Sequence, residues 1–146
     1  MKKKRILMCN ESSLLSTGYS TYGYEVLSRL HKTDKYELAE LASFGKPDDL
    51  AATNIPWKYY PVLPNEKDAR ARAAYNSRAS NQFGEFIFDE VCAKFKPDIV
   101  WDIRDWWMLE FQERSPARPY YHWAIMPTVD SAPQNDDWIS TFIDRK

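Results

Sequence analysis

The chain has 146 residues, 44% of them hydrophobic and 28% charged, and its 20 basic and 21 acidic side chains leave a formal net charge of −1. That length suits one domain burying roughly two thirds of the surface its unfolded form exposes, with the composition of a globular protein. The balanced charge excludes a protein built to live on phosphate backbones, so no nucleic acid is expected, and no apolar run approaches the roughly 20 residues of a membrane span.

The run Lys2-Lys3-Lys4-Arg5 precedes an apolar stretch too short for a signal-peptide core. It reads as a solvated lead-in, with targeting or anion binding as alternatives. A strand is expected from Arg5 to Asn10, followed by a polar segment that holds Ser12, Ser13, Ser16, Thr17, Gly18 and Ser20. Gly23, Val26, Leu27 and Leu30 then mark one face of a helix from about Tyr22 to His31, capped by Ser20 or Thr21. A second strand, Tyr36 to Ser43, ends at the turn signal Gly45-Lys46-Pro47-Asp48-Asp49 and completes a β-α-β unit.

Trp57 to Leu63 reads as a short third strand, and EKDARARAAYNSRAS as either a short helix or a loop. Phe83, Ile87, Val91 and Phe95 recur every four residues, which predicts one helix over Ala79 to Lys94 with its apolar face on a sheet. Ile99-Val100-Trp101 is a buried-strand signal closing in Asp102-Ile103-Arg104-Asp105, and WWMLEFQE looks like a short helix. A strand from Tyr120 to Met126 follows, then a Pro-bracketed loop, Pro127 to Pro133. A last amphipathic helix opens at Asn135-Asp136-Asp137, where acidic residues suit the helix dipole.

Alternating strands and helices imply an α/β fold, a doubly wound and mostly parallel sheet with helices on both faces. Ligands of such folds sit at the carboxyl ends of the strands, which directs attention to Asn10–Thr21, Phe44–Asp49, Asp102–Asp105 and Pro127–Asp130. The first of these segments has a single glycine, so neither a dinucleotide fingerprint nor a P-loop is present. Its hydroxyls and the helix N-terminus can bind an anion or hydroxyl groups, or the segment can be a plain connection. Asp102, Arg104 and Asp105 offer two carboxylates and a guanidinium for sugar hydroxyls or a phosphate; the alternative is an ion network that satisfies itself.

Aromatic residues make up 15% of the chain. Tyr19, Tyr22, Tyr24, Trp106, Trp107 and Trp123 fall near strand ends and loops, where a sugar or base could stack, although an aromatic-rich core explains the same composition. Cys9 and Cys92 lack metal or disulfide spacing and read as buried thiols in a reducing cytoplasm. Asp48-Asp49 and Asp136-Asp137 suit turns and helix caps better than a metal ion. His31 is expected at a helix end, and His122 as a core or supporting histidine rather than a general base.

The series KKRILMCN, STGYSTYGYEVLSRL, FKPDIVWDIRDWW and RPYYHWAIMPTVDSAPQNDDW resembles the N-terminal Rossmann-like domain of GT-B glycosyltransferases, of the group 1 or family 4 type. The resemblance spans almost the whole chain and rests on the order and spacing of loose, mostly structural motifs. It implies that residues 1–146 form one N-terminal domain on the acceptor side of a retaining enzyme, which moves a sugar from a nucleotide-sugar to an acceptor hydroxyl. The donor-binding domain is expected outside this chain. The nucleotide-sugar would be a co-substrate, with no cofactor and no metal, in the cytoplasm.

By the same resemblance, Gly18, Tyr19 and Ser20 match the loop that approaches donor phosphate or acceptor. Asp102, Arg104 and Asp105 match the cleft edge after the KPDIV strand, with Trp106 beside them. Asp130 matches the acidic position of a P-x-D stretch and is the candidate catalytic residue. Family members often carry paired glycines where this chain has Ser16-Thr17-Gly18-Tyr19, and Asp130 stands near the place of a histidine common in the family. A sugar or glycan acceptor is the expected partner, with peripheral membrane association of the full enzyme and a homo-oligomer both compatible. The alternative is a non-catalytic α/β binding module using Trp106, Trp107 and Trp138 as an interface.

Overall fold

The computed structural model describes residues 2–128 and 132–144. Five strands form one sheet: β1 (Lys4–Glu11), β2 (Tyr36–Ser43), β3 (Lys58–Pro61), β4 (Ile99–Asp102) and β5 (His122–Ile125). Their order is β3-β2-β1-β4-β5, and every neighbouring pair is parallel. The chain is therefore α/β with a Rossmann-like, doubly wound sheet. Its first two connections run outward from β1 to one edge, and its last two start again on the other side of β1. The reversal lies between β1 and β4.

β1 is central, so its residues are buried on both faces, and a continuous apolar run replaces the alternation of an exposed strand. Ile6 and Met8 pack with Leu27, Leu38, Trp57 and Ile103, under helix α1 (Gly18–Lys32). Leu7 and Cys9 pack on the other face with Phe88, Val91, Cys92 and Phe95 of helix α3 (Glu85–Phe95). Each such side chain, once fully buried, stabilises the fold by about 1.5–3 kcal/mol relative to exposure. Both thiols are buried; burial pushes Cys92 up to about 12, and burial, reinforced by Asp102, pushes Cys9 up as well. They are inert filler rather than nucleophiles.

Helix α1 begins one turn earlier than its apolar pattern suggests. Thr17 is extended and its side chain accepts the Ser20 N–H at 3.1 Å, which makes it the cap in place of Ser20 or Thr21. The ambiguous basic segment contains helix α2 (Ala69–Asn76), capped by Asp68. The helix expected over Ala79 to Lys94 is divided: a 3-10 turn covers Ala79–Phe83, and α3 follows Gly84. Gly84 has φ 96°, and a Cβ there would lie 2.7 Å from Leu41 Cδ2, so backbone and packing both require glycine.

Trp106–Leu109 form the short helix α4, which passes into a 3-10 turn at Glu110–Arg114. Asp136–Asp144 form α5. Among the described residues no helix is long and apolar enough to cross a membrane. His122 is exposed rather than in the core, because β5 is an edge strand with one face open.

Candidate functional site

Two parallel strands whose onward connections diverge leave a crevice at their carboxyl ends. Here the strands are β1 and β4, aligned through the pair Cys9 and Asp102. The loop after β1 leads to the N-terminus of α1, the loop after β4 to α4, and the segment after β5 lies next to them.

Tyr19 joins these segments. Its hydroxyl donates to Asp105 Oδ1 at 3.3 Å and lies 2.5 Å from Thr128 Oγ1. Its backbone carbonyl accepts from Asn10 Nδ2 at 2.7 Å, which ties the first turn of α1 to the end of β1. Asn10 is 3% exposed, and its Oδ1 has no partner among the described residues. Tyr22, one turn further along α1, reaches Met126 Sδ at 3.6 Å.

Gly18 opens the helix beside this group. It is exposed, and a Cβ built there would meet nothing within 4 Å. The first-turn N–H groups of α1 carry the positive end of the helix dipole, so the position suits a carboxylate, a phosphate or a polarised hydroxyl. Glu11, the last residue of β1, accepts from Thr17 Oγ1, and this same oxygen caps the helix. The crevice therefore holds two carboxylates, Glu11 and Asp105, with hydroxyls from Thr17, Tyr19 and Thr128.

Ser20 does not face this space. It is fully buried, and its hydroxyl donates to Leu15 O at 2.6 Å, so it shapes the turn and cannot contact a ligand. Asp102 and Arg104 are a larger correction. Asp102 is fully buried on the α3 side of the sheet and accepts from Arg104 Nε at 3.1 Å and Nη2 at 2.5 Å. It also accepts from Gln112 Nε2 at 2.8 Å on each oxygen and from Trp123 Nε1 at 2.7 Å. Arg104 spends its remaining arm on Phe83 O at 2.8 Å, the carbonyl released where Gly84 breaks the helix.

The ion network thus satisfies itself, which is the requirement for charges at this depth. It fixes the geometry of the β4 loop without entering the crevice; of the three charged residues read from the sequence, Asp105 alone lines it. Trp106 is corrected as well. It is 6% exposed and packs against Trp123 at 6.2 Å and Phe142 of α5 at 5.1 Å. The exposed ring is its neighbour Trp107, 52% accessible and edge-on to Phe83 at 5.1 Å. Asp130 lies outside the described residues.

A second buried group stabilises the loop after β1 from below. Glu40, in the middle of β2, is 3% exposed and accepts from Ser13 Oγ at 2.8 Å and Ser13 N–H at 3.3 Å. Burial pushes its carboxyl up to about 7. The Ser13 bonds oppose that rise, as does the nearby Trp57 indole N–H, which forms no well-aligned hydrogen bond. Ser12 accepts or donates at 2.7 Å with Tyr59, anchoring the same loop to β3.

Among the described residues no cluster of three or more His, Cys, Asp or Glu could hold a metal ion. Asp49 caps a 3-10 turn through Ala51 N–H, and Asp136 and Asp137 occupy the first turn of α5. Asn10, Glu11 and Thr128 fall within the strand-end segments that the sequence directed attention to, but none of the three was singled out there as a site residue. Glu11 and Asn10 were detectable as the last polar residues of a central strand, whereas Thr128 acquires its place only through contact with Tyr19. Comparison with protein-family models gives no match, and neither does comparison with curated proteins.

Proposed function

We propose that the chain is the acceptor-side domain of a retaining glycosyltransferase, in which a sugar passes from a nucleotide-sugar to an acceptor hydroxyl. The observation that carries this reading is the meeting of Tyr19, Asp105 and Thr128 at the reversal between β1 and β4. Carboxylates accept hydrogen bonds from sugar hydroxyls, and the hydroxyls of Tyr19 and Thr128 can donate or accept as the acceptor requires. The open N-terminus of α1 supports negative charge next to them. Asp105 and Glu11 are the side chains best suited to orient an acceptor hydroxyl, with Asp130 as the candidate from the family resemblance.

Such a reaction needs the acceptor oxygen held against the anomeric carbon while the leaving diphosphate is neutralised. The second task belongs to a donor-binding domain, so this chain binds acceptor sugars and transfers nothing alone. The test titrates mono- and disaccharides and a panel of nucleotide-sugars into the 146-residue chain, following amide signals by NMR. Saccharides are expected to move the signals of Gly18, Tyr19, Asp105 and Thr128, and Asp105→Asn to weaken that response. Sustained sugar transfer by the chain alone, or saccharide binding that leaves those signals still, overturns the reading.

A second reading, a non-catalytic interaction module, draws on the apolar face of α5. Ile139, Phe142 and Ile143 are 41%, 39% and 59% exposed, and Trp107 is also largely exposed. Exposed apolar groups on one helix are the kind of surface that an interface covers. Self-association or partner capture lost on Ile143→Glu, with no saccharide response at Tyr19, supports this second reading over the first.

A further inference from the structure

A cavity of about 690 Å³ opens at the carboxyl ends of β2 and β3, away from the β1–β4 crevice. Its walls are the loop after β2, the segment after β3 and one face of α2. That volume is in the range of small-molecule sites.

The walls are fixed to one another. Leu63 N–H donates to Gly45 O at 3.0 Å, joining the two loops. Lys67 N–H donates to Asn65 Oδ1 at 2.9 Å, and Asp68 caps α2 through Ala71 N–H at 2.9 Å. Asn81 Nδ2 holds the far end of α2 through Ala74 O at 2.6 Å.

Three cations from three separate segments line this space: Lys46, Lys67 and Arg72. None makes an ion pair among the described residues, in contrast to Lys58 with Glu37 and Lys94 with Glu90. Tyr75 contributes a half-buried ring, held edge-on by Phe86 at 6.0 Å. Asp48, Asn65, Glu66 and Asn76 complete the polar lining, with Asn65 Oδ1 already accepting from the Lys67 N–H.

We propose that this cavity is a binding site for a phosphorylated sugar. The three cations match a phosphate, which bonds most strongly to guanidinium and ammonium donors. The carboxylates and the amide match ring hydroxyls, and the face of Tyr75 matches the apolar face of a pyranose. The site draws Lys46 from the loop after β2, Lys67 from the segment after β3, and Arg72 and Tyr75 from α2, so it exists only in the folded chain. It does not depend on glycosyl transfer at the β1–β4 crevice.

The test titrates glucose 6-phosphate, glucose and inorganic phosphate separately into the full chain, following amide signals. Glucose 6-phosphate is expected to move Lys67, Tyr75 and Asn76, with an affinity about tenfold above that of either of the other two. The double variant Lys67→Gln, Arg72→Gln is expected to lose about tenfold in that affinity, and Lys94→Gln on the far helix to lose nothing. Circular dichroism checks that each variant is folded. The proposal is overturned by the absence of any response at these residues, by glucose or phosphate binding as tightly as glucose 6-phosphate, or by a folded double variant that binds unchanged.

Discussion

The phenol of Tyr19, on the first turn of α1, donates to the carboxylate of Asp105 beyond β4, and so closes the crevice left where the sheet reverses direction. The two residues lie 86 positions apart and share no local structure. Tyr19→Phe keeps the ring and removes the hydroxyl that also meets Thr128. A stability loss of about 0.5–1.5 kcal/mol is expected in urea unfolding, since a half-exposed bond is lost without leaving a buried charge. The amide signals of Asp105 and Thr128 should move while those of α3 stay in place. Unchanged signals at Asp105 would mean that the contact is not formed in solution.

Glu40 gives the chain a distinctive pH dependence. Burial raises its carboxyl to about 7 in the folded chain, against the ordinary glutamate value of about 4.5. Below 4.5 both states hold the proton; as pH rises from 4.5 to 7 the unfolded chain releases it first, so folding stability falls across that window. The loss amounts to about 3 kcal/mol above pH 7. Asp98, drawn down by the Arg5 N–H, and Glu37, drawn down by Lys58, act oppositely and at lower pH. Glu40→Gln imitates the protonated form and can still bond to both Ser13 groups. The variant is expected to be more stable than the parent at pH 8 and equal to it at pH 4; an equal difference at both values would refute the assignment.

Three glycines of the chain should respond differently to alanine, for reasons read from their surroundings. At Gly18 a Cβ meets nothing within 4 Å, so Gly18→Ala should change stability by less than about 0.5 kcal/mol. At Gly23 it would lie 2.6 Å from Asn10 Nδ2, displacing the amide that holds Tyr19 O. Overpacking there costs about 1–3 kcal/mol. At Gly84 a positive φ adds to a 2.7 Å approach to Leu41 Cδ2, and the loss should be the largest, about 2–4 kcal/mol. Denaturant midpoints for the three variants check the order, and a Gly18 variant as unstable as the Gly84 variant would contradict it.

The strands of this fold were legible because each is a short apolar run between turn residues, and β2 was read at its observed limits, Tyr36–Ser43. The first turn of α1 was missed because Gly18 to Thr21 carry no apolar periodicity; the signal there is one bond from Thr17. Phe83, Ile87, Val91 and Phe95 read as one helix because spacing cannot register that Leu41 occupies the place of a Cβ at residue 84. The sequence left Asp102 open between a ligand-facing carboxylate and a member of an ion network, because the facing of a strand's last residue depends on its neighbours. Its donors Gln112 and Trp123 come from segments with no sequence relation to it. Asp105, three residues on, turns to the other side and meets Tyr19.

That contrast between Asp102 and Asp105 can be measured. Asp102→Ala leaves the Arg104 guanidinium buried with Phe83 O as its remaining acceptor, and Gln112 and Trp123 lose theirs. Breaking one side of a buried pair costs about 3–5 kcal/mol, a large share of the 5–15 kcal/mol that holds a typical domain. Trp123→Phe removes one donor, leaves the pair intact and should cost about 1–3 kcal/mol. Because Asp102 is fully buried, Asp102→Asn should lower stability yet leave saccharide binding per folded molecule unchanged, whereas Asp105→Asn should weaken binding with little effect on the urea midpoint. If a folded Asp102→Asn variant loses binding while Asp105→Asn keeps it, the crevice lies on the other face of the sheet and the assignment made from Tyr19 is wrong.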